Sequence, residues 1–363
     1  MMRHLFSGIY SGKKVLITGH TGFKGSWLAF WLTQMGAEVS GYSLDLPSTP
    51  SHFDLLKPAI RSQFGDVRDK MKVQDYFNEV RPDLVFHLAA QALVRESYRD
   101  PSFTFETNVI GTLNVLEAAR KCGTVKGFVN VTTDKVYENR ETHHAYVEHD
   151  RLGGHDIYSS SKTCSEILSL SYSNSFLGLS ILKVATARAG NVIGGGDWAK
   201  ERLIPDLVRG ITEGRTTEIR SPGSIRPWEH VLEPLSGYLM LGQGLLEGRS
   251  EFALAWNFGP DPENSLEVGA LVSEMKKYWK GIIFSLNPEA AKVFHEAGIL
   301  KLDCTKAKKE LGWLPVWNLE TTISRTILWY KTWMERKELN TASDLCLYIE
   351  DASKMALPWA TRR

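Results

Sequence analysis

The 363-residue sequence has few cysteines, no long apolar run and no excess of charge of either sign. Its four cysteines are scattered without the spacing of a metal site, which indicates reduced thiols rather than a disulfide framework. No apolar run has the length of a membrane-spanning helix, and the N-terminal apolar stretch is too short for a secretory signal. The 43 basic residues nearly balance 42 acidic ones, which argues against nucleic acid or an anionic membrane as the main partner. We therefore expect a cytoplasmic protein without a metal site.

The N-terminal part contains a glycine-rich turn between two apolar segments. Lys14–Thr18 predicts a strand, the spacing Gly19-x-x-Gly22-x-x-Gly25 follows at once, and residues 26–35 predict a helix. Strand, glycine turn and helix together form the context of a dinucleotide site. The glycines let the backbone approach a pyrophosphate at the helix N-terminus, where free amide groups point outward.

A carboxylate follows the second predicted strand. Residues 38–44 have strand character and end at Asp45, which lies twenty residues after Gly25. An acidic residue at this distance is where a ribose-binding carboxylate is expected. The alternative is an ordinary strand–helix–strand turn with a surface aspartate.

Strand and helix patterns alternate through the first half of the chain. Further strands are predicted at 61–64, 84–89, 127–131 and 179–184, and helices at 71–80, 105–122, 158–176 and 202–211. This alternation predicts a Rossmann-type, doubly wound parallel α/β sheet, with ligands at the carboxyl ends of its strands. We expect residues 1–187, with returning segments near 231–260, to form the dinucleotide-binding domain. Residues 188–230 and 261–363 then form a smaller mixed α/β C-terminal substrate domain.

Tyr158 and Lys162 lie one helical turn apart, so the phenol and the ammonium share a face of the predicted helix. A nearby cation favours the phenolate and thereby lowers a tyrosine pKa that is otherwise about 10. Such a pair recurs by chance on many solvated helices. The glycine turn upstream is what makes a catalytic role the better interpretation.

Thr133, Asp134 and Lys135 place a hydroxyl, a carboxyl group and an amine in three consecutive positions, just after the predicted strand that ends at Val131. A simple alcohol dehydrogenase has no obvious use for this additional acid and base. The surplus indicates a reaction of several steps, in which oxidation is followed by elimination and reduction.

These motifs together resemble the extended short-chain dehydrogenase/reductase family over about the first 260 residues. Within that family, the chain is most similar to the nucleotide-sugar 4,6-dehydratases, which have a Thr-Asp pair followed by a third ionisable residue. Most of those enzymes have a glutamate in the third position. Lys135 and the sequence of the glycine turn from His20 to Trp27 resemble the branch of the family that acts on CDP-glucose.

The resemblance implies a role for each catalytic candidate. Tyr158 takes the proton of the sugar C4 hydroxyl while NAD accepts hydride, Lys162 holds the nicotinamide ribose, and Thr133 hydrogen-bonds the C4 oxygen. Lys135 then removes the C5 proton, and protonated Asp134 donates to the departing C6 hydroxyl. The alternative for Lys135 is a cation that merely pairs with Asp134 or with a substrate phosphate.

The resemblance also implies two sets of binding residues. The NAD-binding residues are Gly19, Thr21, Gly22, Phe23, Lys24, Gly25, Asp45, Asp66, Val67, Leu88, Ala89, Ala90, Thr107 and Thr132. The nucleotide-sugar contacts are Gln91, Asn191, Arg202, Arg226, Trp228 and His230. Guanidinium groups suit a pyrophosphate because their donors lie in one plane. The alternative for Trp228 is packing in the core, which is equally well supported. The alternative for Lys24 is a side chain that is simply exposed to solvent.

Three functional classes remain open at this point. The first is dehydration of CDP-glucose to a 4-keto-6-deoxy sugar, for deoxysugar and O-antigen (lipopolysaccharide) synthesis. The second is an epimerase or reductase of the same family, for which an acid and base at C5 and C6 are superfluous. The third is a non-catalytic dinucleotide-binding regulator. The family resemblance further implies a homodimer or a dimer of dimers, paired through the helices predicted at 105–122 and 158–176.

Overall fold

A computed structural model describes residues 2–176, 179–261, 264–287 and 298–361. Its strands are β1 (Lys14–Thr18), β2 (Glu38–Ser43), β3 (Arg61–Phe64), β4 (Leu84–His87), β5 (Gly127–Val131), β6 (Ala145–Tyr146), β7 (Lys183–Ala189), β8 (Asn191–Ile193), β9 (Thr217–Ile219), β10 (Ile225–His230), β11 (Ala255–Phe258), β12 (Ser265–Glu267), β13 (Phe284–Leu286) and β14 (Lys301–Leu302). Its α-helices are α1 (Phe23–Gln34), α2 (His52–Leu56), α3 (Lys70–Val80), α4 (Val94–Arg99), α5 (Pro101–Phe105), α6 (Gly111–Cys122), α7 (Ile157–Ser175), α8 (Leu203–Glu213), α9 (Leu232–Leu246), α10 (Val268–Tyr278), α11 (Leu319–Arg336) and α12 (Thr341–Lys354). Short 3-10 helices lie at Leu5–Gly8, Asp134–Val136 and Ser250–Phe252, and π-helical turns at Glu106–Ile110 and Ala307–Leu311.

Seven parallel strands form the main sheet, in the order β11-β7-β5-β4-β1-β2-β3. The direction of strand progression reverses between β1 and β4, so the segments that follow these two strands separate and leave a crevice. This arrangement confirms the predicted Rossmann-type sheet.

The sheet is covered on both faces because consecutive side chains of its strands, which point to opposite faces, are apolar. Val15 and Ile17 of β1 pack with α1 and α9 in the larger core, whereas Leu16 packs with α3 and α6 in a second core. Strands that are buried on both sides read as continuous apolar runs, as β1 does.

One predicted strand is displaced. The sequence predicts a strand at 179–184, but β7 begins at Lys183 and continues to Ala189. Leu179 and Ile181 are 81% and 54% exposed, so the apolar character of that stretch does not reflect burial in the sheet. The helix predicted at 105–122 consists of the end of α5, a π-helical turn and α6.

Three small sheets accompany the main one. β8, β10 and β12 form one of them, while β9 pairs with β13 and β6 pairs with β14. Within the described ranges, no helix combines the length and the apolar character that crossing a membrane requires.

Candidate active site

The glycine turn after β1 is packed so closely that only hydrogen fits in place of a side chain. A Cβ on Gly19, whose φ is +76°, would lie 2.7 Å from the Ala89 backbone nitrogen, and one on Gly25 would lie 2.1 Å from the Gly19 oxygen. Gly22 precedes the first residue of α1. The turn therefore leads the backbone along the crevice beside the end of β4, and it fits the pyrophosphate of a dinucleotide.

Two further predicted cofactor residues shape the edge of this crevice. The Thr21 hydroxyl donates to the Asp45 backbone oxygen at 2.7 Å, which ties the glycine turn to the end of β2. The Asp45 side chain itself is exposed. Its carboxylate is therefore accessible to a ribose hydroxyl.

The remaining predicted cofactor residues lie at the ends of β3, β4 and β5 and in the π-helical turn before α6. Asp66 accepts hydrogen bonds from the Arg68 backbone and guanidinium, and Val67 is buried beside Gly111. Thr107 is buried in the π-helical turn, and its hydroxyl has no hydrogen-bond partner within the described ranges. Leu88, Ala89 and Ala90 are half-buried beside the glycine turn.

Thr132 connects the end of β5 to a buried ion pair. Its hydroxyl donates to Glu166 of α7, which also accepts from Thr186 at 2.7 Å and pairs with Arg188 of β7 at 2.9 Å. Arg188 in turn donates to the Tyr137 hydroxyl at 2.7 Å. Because every charged group in this network has a partner, it fixes the position of α7 relative to the end of β5.

Tyr158 and Lys162 lie in the first two turns of α7, as predicted, and both are buried. Burial raises the pKa of Tyr158 to about 12, although the Thr133 hydroxyl and the charge of Arg202 lower it. Burial, together with the charge of Lys24, lowers the pKa of Lys162 to about 8. The predicted depression of the tyrosine pKa is therefore not present in the protein alone.

Thr133 and Asp134 follow β5 and line the same cavity as Tyr158. The Thr133 hydroxyl donates to Asp134 Oδ1 at 3.0 Å, and Asp134 Oδ2 has no hydrogen-bond partner in the part of the chain described. Lys135 follows Asp134 directly and is half-buried.

A cavity of about 370 Å³ brings the catalytic candidates together with most of the predicted substrate contacts. Thr132, Thr133, Asp134, Lys135 and Tyr158 line it on the side of the sheet. The other predicted residues that line it are Phe23, Lys24, Asn191, Arg202, Arg226 and Trp228.

The predicted substrate residues at the cavity differ in how they are held. Arg202 is half-exposed and pairs with Asp197 at 3.1 Å, whereas Arg226 is buried and donates to the backbone oxygens of Ile225 and Gly298. The Trp228 indole donates to the Leu266 oxygen at 3.0 Å. Trp228 therefore packs in the core and also lines the cavity, while its contact with a substrate stays a prediction.

Gln91 does not line the cavity. Its side-chain amide donates to the Leu93 oxygen and the Thr104 hydroxyl, each at 3.0 Å, and its oxygen accepts from the Leu93 nitrogen. Because the amide makes these contacts, Gln91 holds the segment 92–95 at the start of α4, and it is this segment that lines the cavity.

His230 also lies away from the cavity. The ring is completely buried, packs 4.7 Å from Trp317 and 6.0 Å from Trp27, and accepts a hydrogen bond from the Leu232 nitrogen. Burial lowers its pKa to about 3. The prediction of a substrate contact is corrected, since His230 is a neutral core residue.

Glu229 was not singled out from the sequence, although its neighbours Trp228 and His230 were. It lies on β10 and is 2% exposed, and burial raises its pKa well above the ordinary value. The available signal was a lone acidic residue inside an otherwise buried strand, where charged residues are uncommon.

The parallel sheet, the glycine turn and the Tyr158–Lys162 pair define an extended short-chain dehydrogenase/reductase. Within that class, the chain belongs to the GDP-mannose 4,6 dehydratase family, whose profile matches residues 16–326.

Individual relatives narrow the similarity further. The chain is 46% identical to a CDP-glucose 4,6-dehydratase of Salmonella typhimurium, over 91% of this chain and 94% of the relative. It is 31% identical to a dTDP-glucose 4,6-dehydratase of Streptomyces antibioticus, over 87% and 92% of the two chains. A dTDP-glucose 4,6-dehydratase from Streptomyces venezuelae, solved with NAD and TYD bound, has a TM-score of 0.73 at 25% identity and covers 87% of this chain and 96% of its own.

Proposed function

We propose that this protein dehydrates CDP-glucose to CDP-4-dehydro-6-deoxy-glucose with NAD as its cofactor. The observation that carries the proposal is one cavity in which Tyr158 stands with Thr133, Asp134 and Lys135. The similarity to a CDP-glucose 4,6-dehydratase extends over nearly the whole chain and supports the choice of substrate.

The crevice suits NAD in shape and charge. A methyl group on Gly19 or Gly25 would meet backbone atoms of the protein, so the glycines permit the tight turn that a pyrophosphate site needs. Asp45 presents a carboxylate to a ribose 2′-hydroxyl and would repel a 2′-phosphate. When bound, NAD supplies the acceptor for hydride from C4 and later its donor to C6.

The first proton transfer falls to Tyr158. A phenol with a pKa of about 12 is a poor base at neutral pH until its surroundings change. The Thr133 hydroxyl and the charge of Arg202 already favour the ionised form of the phenol. Lys162, held by the Val131 oxygen at 3.1 Å, is in place to orient a ribose beside it.

Elimination then uses Lys135 and Asp134. Once C4 is a ketone, the C5 proton becomes acidic, because the resulting carbanion is delocalised onto oxygen. We assign its removal to Lys135, whose side chain lines the cavity beside Asp134. Asp134 donates its proton to the departing C6 hydroxyl, and water leaves.

The far end of the cavity is suited to the nucleotide diphosphate. Arg202 and Arg226 bring two guanidinium groups to its wall, and Asn191 adds an amide beside them. Planar paired donors match a pyrophosphate better than point charges do. We propose these three residues as the substrate contacts of the main site.

The test is an incubation of the purified protein with NAD and, separately, CDP-, dTDP-, UDP- and GDP-glucose. We expect a 4-keto product from CDP-glucose, detected by its absorbance in base and by mass spectrometry as loss of water. Asp134→Asn is the matched control and should oxidise C4 without losing water. Epimerised sugar in place of the 4-keto product would favour the epimerase alternative.

Three broader proposals accompany this function. We propose a homodimer or dimer of dimers, since Ile110, Ile167 and Leu170 expose 47–53% of their surface on the helices predicted to pair. We propose the domain division given above, with the small sheets on the substrate side. We also propose a cytoplasmic location, which agrees with four free thiols. Light scattering of the purified protein tests the oligomeric state.

A further inference from the structure

The Gly194–Asp197 segment follows β8 and lies at the wall of the catalytic cavity. A Cβ on Gly195 would overlap the Trp329 ring of α11, and a Cβ on Gly196, whose φ is +86°, would overlap the His52 ring. The backbone can lie this close to the two rings because both positions lack a side chain. The position of the segment therefore follows the position of aromatic side chains from other elements.

Two buried hydrogen bonds anchor the same segment from behind. The Tyr330 hydroxyl of α11 donates to the Asp197 backbone oxygen at 2.6 Å, and the Trp27 indole of α1 donates to the Gly195 backbone oxygen at 2.9 Å. Both donor side chains are completely buried, and hydrogen bonds are stronger in such surroundings than in water. Two helices therefore fix the backbone that carries Asp197.

The Asp197 carboxylate joins this fixed backbone to Arg202, which immediately precedes α8. Its Oδ1 accepts a hydrogen bond from the Ala199 backbone nitrogen at 3.1 Å, and its Oδ2 pairs with Arg202 Nη1 at 3.1 Å. The Asp197 side chain is 8% exposed, and its charge raises the pKa of Arg202. The guanidinium therefore has a defined place at the cavity wall before any ligand arrives.

The pair with Asp197 leaves most of the Arg202 donors available. A guanidinium has five N–H donors, and within the described ranges only Nη1 of Arg202 donates a hydrogen bond. The Arg202 side chain is 36% exposed and lines the cavity. A long side chain that is already ordered loses less conformational freedom when it binds a ligand. Asp197 thus prepares Arg202 to bind an anionic group.

We propose that Asp197 is a positioning residue that holds the Arg202 guanidinium in the orientation that binds the diphosphate of the nucleotide sugar, and that Tyr330 fixes Asp197 from behind. The inference rests on the proposed function, in which Arg202 contacts that diphosphate. Asp197 and Tyr330 act through Arg202, so both residues raise the affinity for a nucleoside diphosphate.

The first experiment measures the binding of CDP by calorimetry and of cytidine by NMR titration. The amide of Asp197→Asn has one acceptor oxygen, so it cannot serve both Ala199 and Arg202. We expect the Kd for CDP to rise about tenfold in this variant, which is the scale of one hydrogen bond to a charged group. In Tyr330→Phe the Kd for CDP should rise about threefold, since one neutral hydrogen bond is lost. Cytidine lacks the diphosphate and should bind equally to all three proteins.

The second experiment asks whether Asp197 acts through Arg202. Arg202→Gln alone should weaken CDP binding, and adding Asp197→Asn to that variant should produce no further change in Kd. Groups that act through one contact are non-additive in such a double-mutant cycle. Asp197→Glu keeps the charge but moves the carboxylate by one methylene group. It should therefore fail to restore the natural affinity for CDP.

Two control variants separate positioning from a general loss of stability or charge. Tyr348→Phe removes another buried hydroxyl, which donates to Glu233 at 2.7 Å. It should lower the melting temperature as Tyr330→Phe does, while the Kd for CDP stays unchanged. Glu274→Gln removes an acidic charge from an exposed pair with Lys277, and it should leave both quantities unchanged.

Equal or tighter CDP binding by Asp197→Asn overturns the proposal, because the carboxylate would then only repel the diphosphate. Additive losses in the Asp197 and Arg202 cycle overturn it too, and so does an equal loss of affinity for cytidine. If Asp197→Asn fails to fold, Tyr330→Phe still decides, since its ring is retained and natural CDP affinity in that variant would contradict the proposal. Failure of the proposed function is recognised separately, because the natural protein would then bind CDP but form no 4-keto sugar.

Discussion

The two sides of the cleft are built in different ways. The proposed cofactor side is centred on one short turn after β1, in which Gly19 and Gly25 leave no space for a methyl group between backbone atoms. The substrate side is assembled from β8, the start of α8 and β10, which contribute Asn191, Arg202 and Arg226. The first depends on shape, and the second on the charges of side chains from distant parts of the chain.

This difference indicates how each side tolerates change. Added volume should damage the cofactor side, whereas a change of charge at constant volume should damage the catalytic and substrate side. Thr133, Asp134 and Lys135 stand between the two, since they follow a strand of the main sheet and face the cavity.

The largest effect is expected from Lys135→Met, which removes the amine at similar side-chain volume. Losing a positioned general base costs about 10²–10⁴-fold in rate. Oxidation at C4 should persist, so reduced cofactor should accumulate while C5 exchange with deuterated water becomes slow. Stopped-flow absorbance and NMR measure the two quantities. Near-normal turnover with normal C5 exchange would mean that the lysine is structural.

The next largest effect is expected from Gly25→Ala on the cofactor side. Its Cβ would lie 2.1 Å from the Gly19 oxygen, and overpacking of this kind costs about 1–3 kcal/mol. Calorimetry should show weaker NAD binding, together with a lower melting temperature. Gly223→Ala is the control, because its Cβ meets nothing within 4 Å. Equal NAD affinity in the two variants would show that the turn is not shape-limited.

The smallest effect on activity is expected from His230→Leu. The ring is a buried core group with one hydrogen bond from the Leu232 nitrogen, and losing such a bond costs about 1–3 kcal/mol. Urea unfolding should show this loss of stability, while KM for CDP-glucose stays within about twofold of the natural value. A large rise in KM at unchanged stability would restore His230 as a substrate contact.

The sequence predicts the first strand, the glycine turn and the helix after it well because their determinants are local. The glycine spacing and the apolar run of β1 are adjacent in the chain, and β3 and β5 have the predicted bounds. The prediction of a strand at 179–184 is wrong in its bounds. The apolar residues there are exposed, and only the tertiary structure shows that exposure.

The substrate side is harder to predict because its contacts are long-range. Gln91 hydrogen-bonds Thr104, and His230 packs against Trp317, neither of which a local pattern indicates. The hydrogen bond from the Lys24 ammonium to the Tyr238 hydroxyl likewise joins residues that are 214 positions apart. The pKa of Tyr158 likewise depends on burial, which the spacing to Lys162 does not indicate.

The most direct test of the dehydratase mechanism follows one hydrogen atom through the reaction. CDP-glucose deuterated at C4 is converted by the natural protein with NAD, in a mixture with unlabelled substrate, and the product is examined by NMR and mass spectrometry. The mechanism predicts that deuterium is found at C6 of the same sugar molecule that carried it at C4. Loss of the label to water, or its appearance in sugars that began unlabelled, would contradict the mechanism.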